Sequence, residues 1–146
     1  MKAEIFGTAD SRMREALAVR FAVFVDEQGV PPEEECDEHD GPSDRKAVHA
    51  IVHDGELVVG AGRYYERDPQ TAQIGRMAVM PEARGSGVGR LLLDQLMREA
   101  RSRGYKRARL SAQTHAIAFY EKAGYRIVGE PYDDCGIAHV DMEGAL

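Results

Sequence analysis

Between Pro81 and Leu91 the chain reads P-E-A-R-G-S-G-V-G-R-L, with glycines at 85, 87 and 89 and an arginine on each side. A strand that delivers bare backbone to the first turn of a helix makes an anion site. Unpaired N–H groups point outward there, and the helix dipole adds partial positive charge. Without a Cβ, glycine lets a phosphate approach the main chain. The spacing then excludes two ligand classes. A mononucleotide loop needs G-x-x-x-x-G-K-[ST], and no Lys-Ser or Lys-Thr follows these glycines. The dinucleotide fingerprint G-x-G-x-x-G fails as well, because its last position falls on Arg90 or on Leu92. What remains is Arg84-x-x-Gly87-x-Gly89, preceded by I-G-R-M-A-V-M-P.

The elements that must position this turn follow from patterning. Ala3–Phe6 reads as a strand. Thr8 or Asp10 can cap a helix carrying Met13, Ala16, Leu17, Phe21 and Phe24 on one face. Pro31-Pro32 ends that helix, and the acidic stretch to Asp44 reads as a loop. Ala47–His53 and Glu56–Tyr65 flank Asp54-Gly55, a hairpin signal, and Thr71–Met80 is a third strand of the same kind. From Val88 a helix presents Leu92, Leu96 and Ala100 on one face and ends near Gly104. Arg107–Ser111 is strand-like, and Thr114–Ala123 is a short helix with Gly124 after it. Tyr125–Val128 and Ile137–Met142 form a closing hairpin. The order β-α-β-β-β-α-β-α-β-β predicts an α/β (α+β) domain around a mostly antiparallel sheet, one domain over residues 1–146.

Composition narrows the setting. Hydrophobic residues make up 43% and charged residues 30%, which suits a globular domain and not a disordered one. No apolar run is long enough to cross a bilayer, and the first residues lack a secretory h-region, so a cytoplasmic protein without membrane partners is expected. A net charge of −6 argues against nucleic acid as a partner, while the basic stretch Arg84–Arg109 still suits a small anion. Cys36-x-x-His39 and Cys135-x-x-x-His139 have tolerable zinc spacings. Each is a lone pair in its own loop, however, and Cys36 sits among carboxylates suited to harder ions. Two free thiols and no metal is the favoured reading.

The R-x-x-G-x-G of Arg84–Gly89 after an apolar x-A-V-x-P strand resembles the acetyl-CoA signature of the GNAT superfamily of N-acetyltransferases, whose motifs here cover Gln73 to Tyr125. A-Q-T-H-A-I-A-F-Y-E-K-A-G-Y is similar to that family's late helix, with its F-Y-x-x-x-G-[FY] ending. The front segment R-F-A-V-F-V-D-E-Q-G-V-P and the tail Y-D-D-C-G-I-A-H-V-D-M resemble the ElaA/YjcF-like branch. The resemblance implies a GNAT fold and direct transfer of an acetyl group from acetyl-CoA to a primary amine of a small molecule or peptide. It places the CoA diphosphate on the backbone of Arg84, Gly85, Ser86, Gly87, Val88, Gly89 and Arg90. The pantetheine arm would lie on the backbone of Met77, Ala78 and Val79, like an added strand.

Acetyl transfer needs an uncharged amine, a polarised carbonyl and a stabilised leaving thiolate. By the same resemblance, Tyr120 is the candidate acid. A phenol of pKa about 10 can donate to a departing thiolate whose conjugate acid lies near about 8.5. The base is open. Gln73 stands where some relatives carry a glutamate, and an amide cannot accept the proton; Glu27, His139 or a water relay can take the duty. Arg20, Arg76 and Gln113 are polar residues within apolar segments and need partners if buried. Arg20 either pairs with Glu27, two helical turns on, or anchors the acceptor. The acidic loop Glu33–Asp44 is read as solvated, with a role in attracting a cationic acceptor as the alternative. Two other readings share the fold: a non-catalytic acyl-CoA sensor, and an acyl-homoserine-lactone synthase, which usually has a tryptophan after the first helix where this chain has none. Acceptor identity and oligomeric state are not encoded in these patterns.

Overall fold

The computed structural model describes residues 1–146. Eight strands form one sheet in the order β1 (Lys2–Gly7), β2 (Val48–Asp54), β3 (Leu57–Asp68), β4 (Thr71–Val79), β5 (Arg107–Gln113), β8 (Ile137–Ala145) and β6 (Arg126–Ile127), with β7 (Tyr132–Asp134) also on β8. Every pairing is antiparallel except β4–β5. That parallel pair requires a crossover, supplied by helix α3 (Val88–Ser102).

Helices cover both faces, so the central strands bury both sets of side chains. On β2, Val48, Ala50 and Val52 enter the core under α3, while Ile51 enters the core under helix α1 (Met13–Arg20). A near-continuous apolar run such as Val48–Val52 is what a doubly covered strand requires. On β3, a Cβ at Gly60 would lie 2.5 Å from Val88 Cγ1, and one at Gly62 would lie 2.7 Å from Met77 Sδ. Bare backbone at these positions lets α3 settle close to the sheet.

The first helix changes its winding before it reaches Pro31. After Arg20 it widens into a π-turn from Phe21 to Glu27, which lets Val23 stay in the core while Phe24 and Glu27 turn to a cleft. At its start, Asp10 Oδ1 accepts from the Arg12 amide at 2.8 Å, whereas Thr8 bonds to Asp44 O instead.

Two expectations are overturned downstream of that turn. Arg20 does not meet Glu27: the π-turn breaks the two-turn phasing, and Arg20 instead donates to Glu35 Oε2 at 2.8 Å and to both Asp40 oxygens at 2.7 and 2.9 Å. Nor is the acidic stretch wholly a solvated loop: Glu33, Glu34 and Glu38 are exposed, but Glu35, Asp37 and Asp40 are not. It includes helix α2 (Pro32–Glu35) and a 3₁₀ turn at Glu38–Asp40, and it carries the carboxylates of an ion-pair network. Arg63 donates to Asp37 and Asp40 at 2.6–2.8 Å, so buried arginines and carboxylates balance. Burial opposes the Asp40 carboxylate, but Arg20 and Arg63 outweigh it and hold its carboxyl well below the usual range. Asp37 is held low in the same way, chiefly by Arg63.

Cutting this network strands buried charge. Arg20→Leu leaves Glu35 and Asp40 short of a partner and is expected to lower stability by about 3–5 kcal/mol, read from urea denaturation. The sign of the acid dependence follows from the two aspartates. Their folded pKa values lie below the ordinary 3.8, so their contribution is present above that value and lost as pH falls through the folded values. The share of the urea midpoint that these two aspartates supply should therefore be constant above about pH 5 and be lost below about pH 4, which the difference between wild type and Asp40→Asn across pH reads out.

Candidate active site

β4 and β5 stay paired only from Thr71–Ile74 against Arg107–Leu110. Beyond Ile74 they separate, and a cleft of about 810 Å³ opens between them. The separation begins at a bulge: Arg76 and Met77 together oppose Gly62, and Arg76 has φ 52°. From there to Val79 the β4 edge facing β5 has no strand partner. Met77 and Val79 line the cleft, whereas the Ala78 side chain packs into the core under α1.

The glycine turn lies at the start of α3. Gly85 has φ 81° and Gly87 φ 90°, and a Cβ on either would project into open space. The first backbone bond of the helix is from Leu91 N–H to Gly87 O, at 3.0 Å. None of the six amides from Gly85 to Arg90 donates to another backbone group, and no side chain caps the helix. Ser86 turns its hydroxyl back to Ala83 O. Six amides without an acceptor at one helix start, with open space where a Cβ would stand at Gly85 and Gly87, suit a diphosphate. Gly89 has a second use: a Cβ there would touch the Phe119 ring at 3.4 Å, so glycine lets the turn close on helix α4 (Ile117–Lys122).

Arg84 stands apart from the other residues of the turn. Its amide donates to Pro81 O, and its guanidinium donates to both Glu27 oxygens at 2.6 and 2.7 Å and to Val79 O at 3.0 Å. The hydrogen bonds from Arg84 hold the Glu27 carboxyl below its ordinary range, which makes Glu27 a weak proton acceptor in this arrangement. Arg90 pairs with Asp94 one turn along α3.

Across the cleft, Tyr120 packs edge-on against Phe119 and Tyr125, with ring centroids 5.0 and 5.9 Å away. Burial pushes its phenol up to about 12, so it remains protonated through neutral and mildly alkaline pH. On β8, His139 Nδ1 lies 2.7 Å from Ile137 O and its ring stacks on Tyr132. A carbonyl only accepts, so Nδ1 carries the proton and Nε2 keeps a lone pair. Both side chains line the same cleft. Gln113, at the end of β5, donates to Gln28 Oε1 at 2.8 Å and links β5 to the end of the first helix.

The cysteine–histidine pairs do not build a metal set. Nδ1 of His39 bonds Asp44 and that of His139 bonds a carbonyl, and no three candidate ligands gather anywhere. No helix is long and apolar enough to cross a membrane.

A sequence profile of the Acetyltransferase (GNAT) family matches residues 11–125. The chain belongs to the GNAT family. Its relatives include YjcF of Bacillus subtilis, described as an uncharacterized N-acetyltransferase, at 39% identity over 97% of this chain and 98% of that protein. Among solved structures, ElaA of Escherichia coli superposes with a TM-score of 0.85 at 27% identity, covering 98% of both chains. An acyl-CoA N-acyltransferase from Pseudomonas aeruginosa gives 0.85 at 28% identity, covering 99% of this chain and all of the other. The GNAT fold expected from the turn and the late helix is the fold observed, and the chain is an acyltransferase.

The structure also brings to this GNAT cleft residues that spacing did not single out. Glu34, Tyr65 and Asp134 all line it. Tyr65 and Asp134 carry no local mark, and Glu34 was marked only as one carboxylate of the acidic stretch. Arg76 carried a hint, being a charged residue after a glycine inside an apolar strand.

Proposed function

We propose that this protein transfers the acetyl group of acetyl-CoA to a primary amine of a small molecule or peptide, directly within a ternary complex. The reading is carried by the six free amides of Gly85–Arg90 at a helix start with no side-chain cap. They fit a diphosphate, and the partnerless edge from Met77 to Val79 fits an extended arm that pairs as a strand would. When bound, the donor supplies the thioester.

The remaining work falls to side chains of this chain. An N–H on the β4 edge faces the cleft and can polarise a carbonyl there. His139 Nε2, with its lone pair fixed by the Nδ1–Ile137 bond, takes a proton from the amine. Tyr120 holds the proton that meets the leaving sulfur, and its burial keeps that proton in place until then. Glu27, tied to Arg84, is better suited to bracing the turn against the first helix than to accepting protons.

Calorimetry with acetyl-CoA, followed by thiol release across polyamines, amino sugars and peptides, tests the proposal. Binding with amine-dependent thiol release supports it. Binding without release from any amine identifies a non-catalytic acyl-CoA-binding protein, and no binding removes both readings. His139→Ala is expected to lower kcat about tenfold to a hundredfold, because water replaces the imidazole poorly, and Glu27→Gln to lower it less. A larger loss in Glu27→Gln would transfer the base role to Glu27.

A further inference from the structure

Charge in the cleft does not cancel. Its arginines are each neutralised: Arg63 by Asp37 and Asp40, Arg76 by Glu35 and Asp37, Arg84 by Glu27. Two lining carboxylates, Glu34 and Asp134, have no cationic partner. Glu34 accepts only from the Cys135 thiol, at 2.9 Å, across a sequence distance of 101 residues. Its backbone is held from the other side. The Arg76 guanidinium reaches Glu35 O at 3.1 Å and Glu34 O at 3.5 Å, and Glu35 Oε2 at 3.2 Å.

Arg76 does this from a left-handed backbone, φ 52°, in the bulge that opens the cleft. A non-glycine residue held there is strained and persists where its surroundings fix it. The contacts to the 34–37 segment are what fix it. One residue thereby joins the β4 edge to the segment that presents Glu34.

We infer that Glu34 is a specificity residue for the acceptor, that Arg76 is the residue positioning it, and that the acceptor carries a second cationic group besides the amine that reacts. This rests on the acyl-transfer reading and goes further. The attacking amine must be neutral, so it offers no charge to a carboxylate. A carboxylate left unpaired in the cleft recognises a different cation on the same molecule.

The test compares 1,4-diaminobutane, spermidine and lysine amide with n-butylamine, by thiol release and by calorimetry with acetyl-CoA. Wild type should prefer the amines with more than one cationic group, and Glu34→Gln should shrink that preference about tenfold while the acetyl-CoA Kd moves by about threefold or less. Absence of a preference in wild type, or its survival in Glu34→Gln, overturns the assignment. Loss of acetyl-CoA binding in wild type would instead sink the acyl-transfer reading.

Arg76→Gly keeps the left-handed backbone accessible and removes the clamp together with its ion pairs, while Glu35 retains Arg20 and Asp37 retains Arg63. It should shrink the same preference, and Arg76→Lys should restore part of it. A second readout needs no turnover. The Glu34 carboxylate pushes the Cys135 thiol up to about 12. In a Cys36→Ser background, iodoacetamide should therefore alkylate Cys135 about tenfold faster in Arg76→Gly, and at least as fast in Glu34→Gln. An alkylation rate unchanged by Arg76→Gly overturns the positioning role.

Discussion

Tyr120→Phe is expected to reduce kcat by about 10²–10³-fold while the acetyl-CoA Kd changes by about threefold or less. The variant removes one oxygen and leaves the ring contacts to Phe119 and Tyr125 in place. Packing and stability are thus nearly preserved, and the loss reports the proton alone. Because burial lifts this phenol to about 12, the wild-type profile should show no alkaline fall attributable to Tyr120 below about pH 11. Equal turnover in mutant and wild type, with donor binding intact, would remove the acid role. A matching loss of donor affinity would assign the residue to binding instead.

Gly87→Val is expected to abolish acetyl-CoA binding, a loss of about 10³-fold or more in Kd, because its side chain enters open space beside the six unbonded amides proposed to hold the diphosphate. Strain complicates a simple reading, since a β-branched residue at φ 90° is unfavourable whatever lies beyond it. Gly104→Val supplies the control. Gly104 has φ 95° and an equally open Cβ direction, at the far end of the fifteen-residue α3. Both variants should lose similar stability in urea, and only Gly87→Val should fail to bind in calorimetry. Equal binding by both would show that the turn is not the phosphate site. Equal loss in both would show that strain, not occupancy, explains the defect.

Much of the architecture was legible in local pattern. The apolar run in β2 reflects burial on both faces, and the 3.6-residue spacing of Leu92, Leu96 and Ala100 places α3 on the sheet. The glycine turn was legible for a related reason: its chemistry resides in backbone amides of neighbouring residues, so spacing alone carries it. Tyr120, the proposed acid, was singled out by the F-Y-x-x-x-G ending, and its side chain lines the cleft.

Side-chain partners were another matter. Arg84 meets Glu27 across 57 residues, Cys135 meets Glu34 across 101, and Arg20 finds Glu35 and Asp40 in place of the Glu27 that helical phasing offered. An ion pair needs opposite charges and proximity, and a chain with 19 basic and 25 acidic residues offers many combinations that no periodicity ranks. The sequence by itself determined where backbone donors gather and which elements carry them, because hydrophobic period and glycine placement act locally. Only the tertiary structure decided which charges cancel and which face the cleft. That choice depends on the π-turn, the bulge at Arg76 and the burial of Glu35 in α2, and each is a product of packing between distant segments.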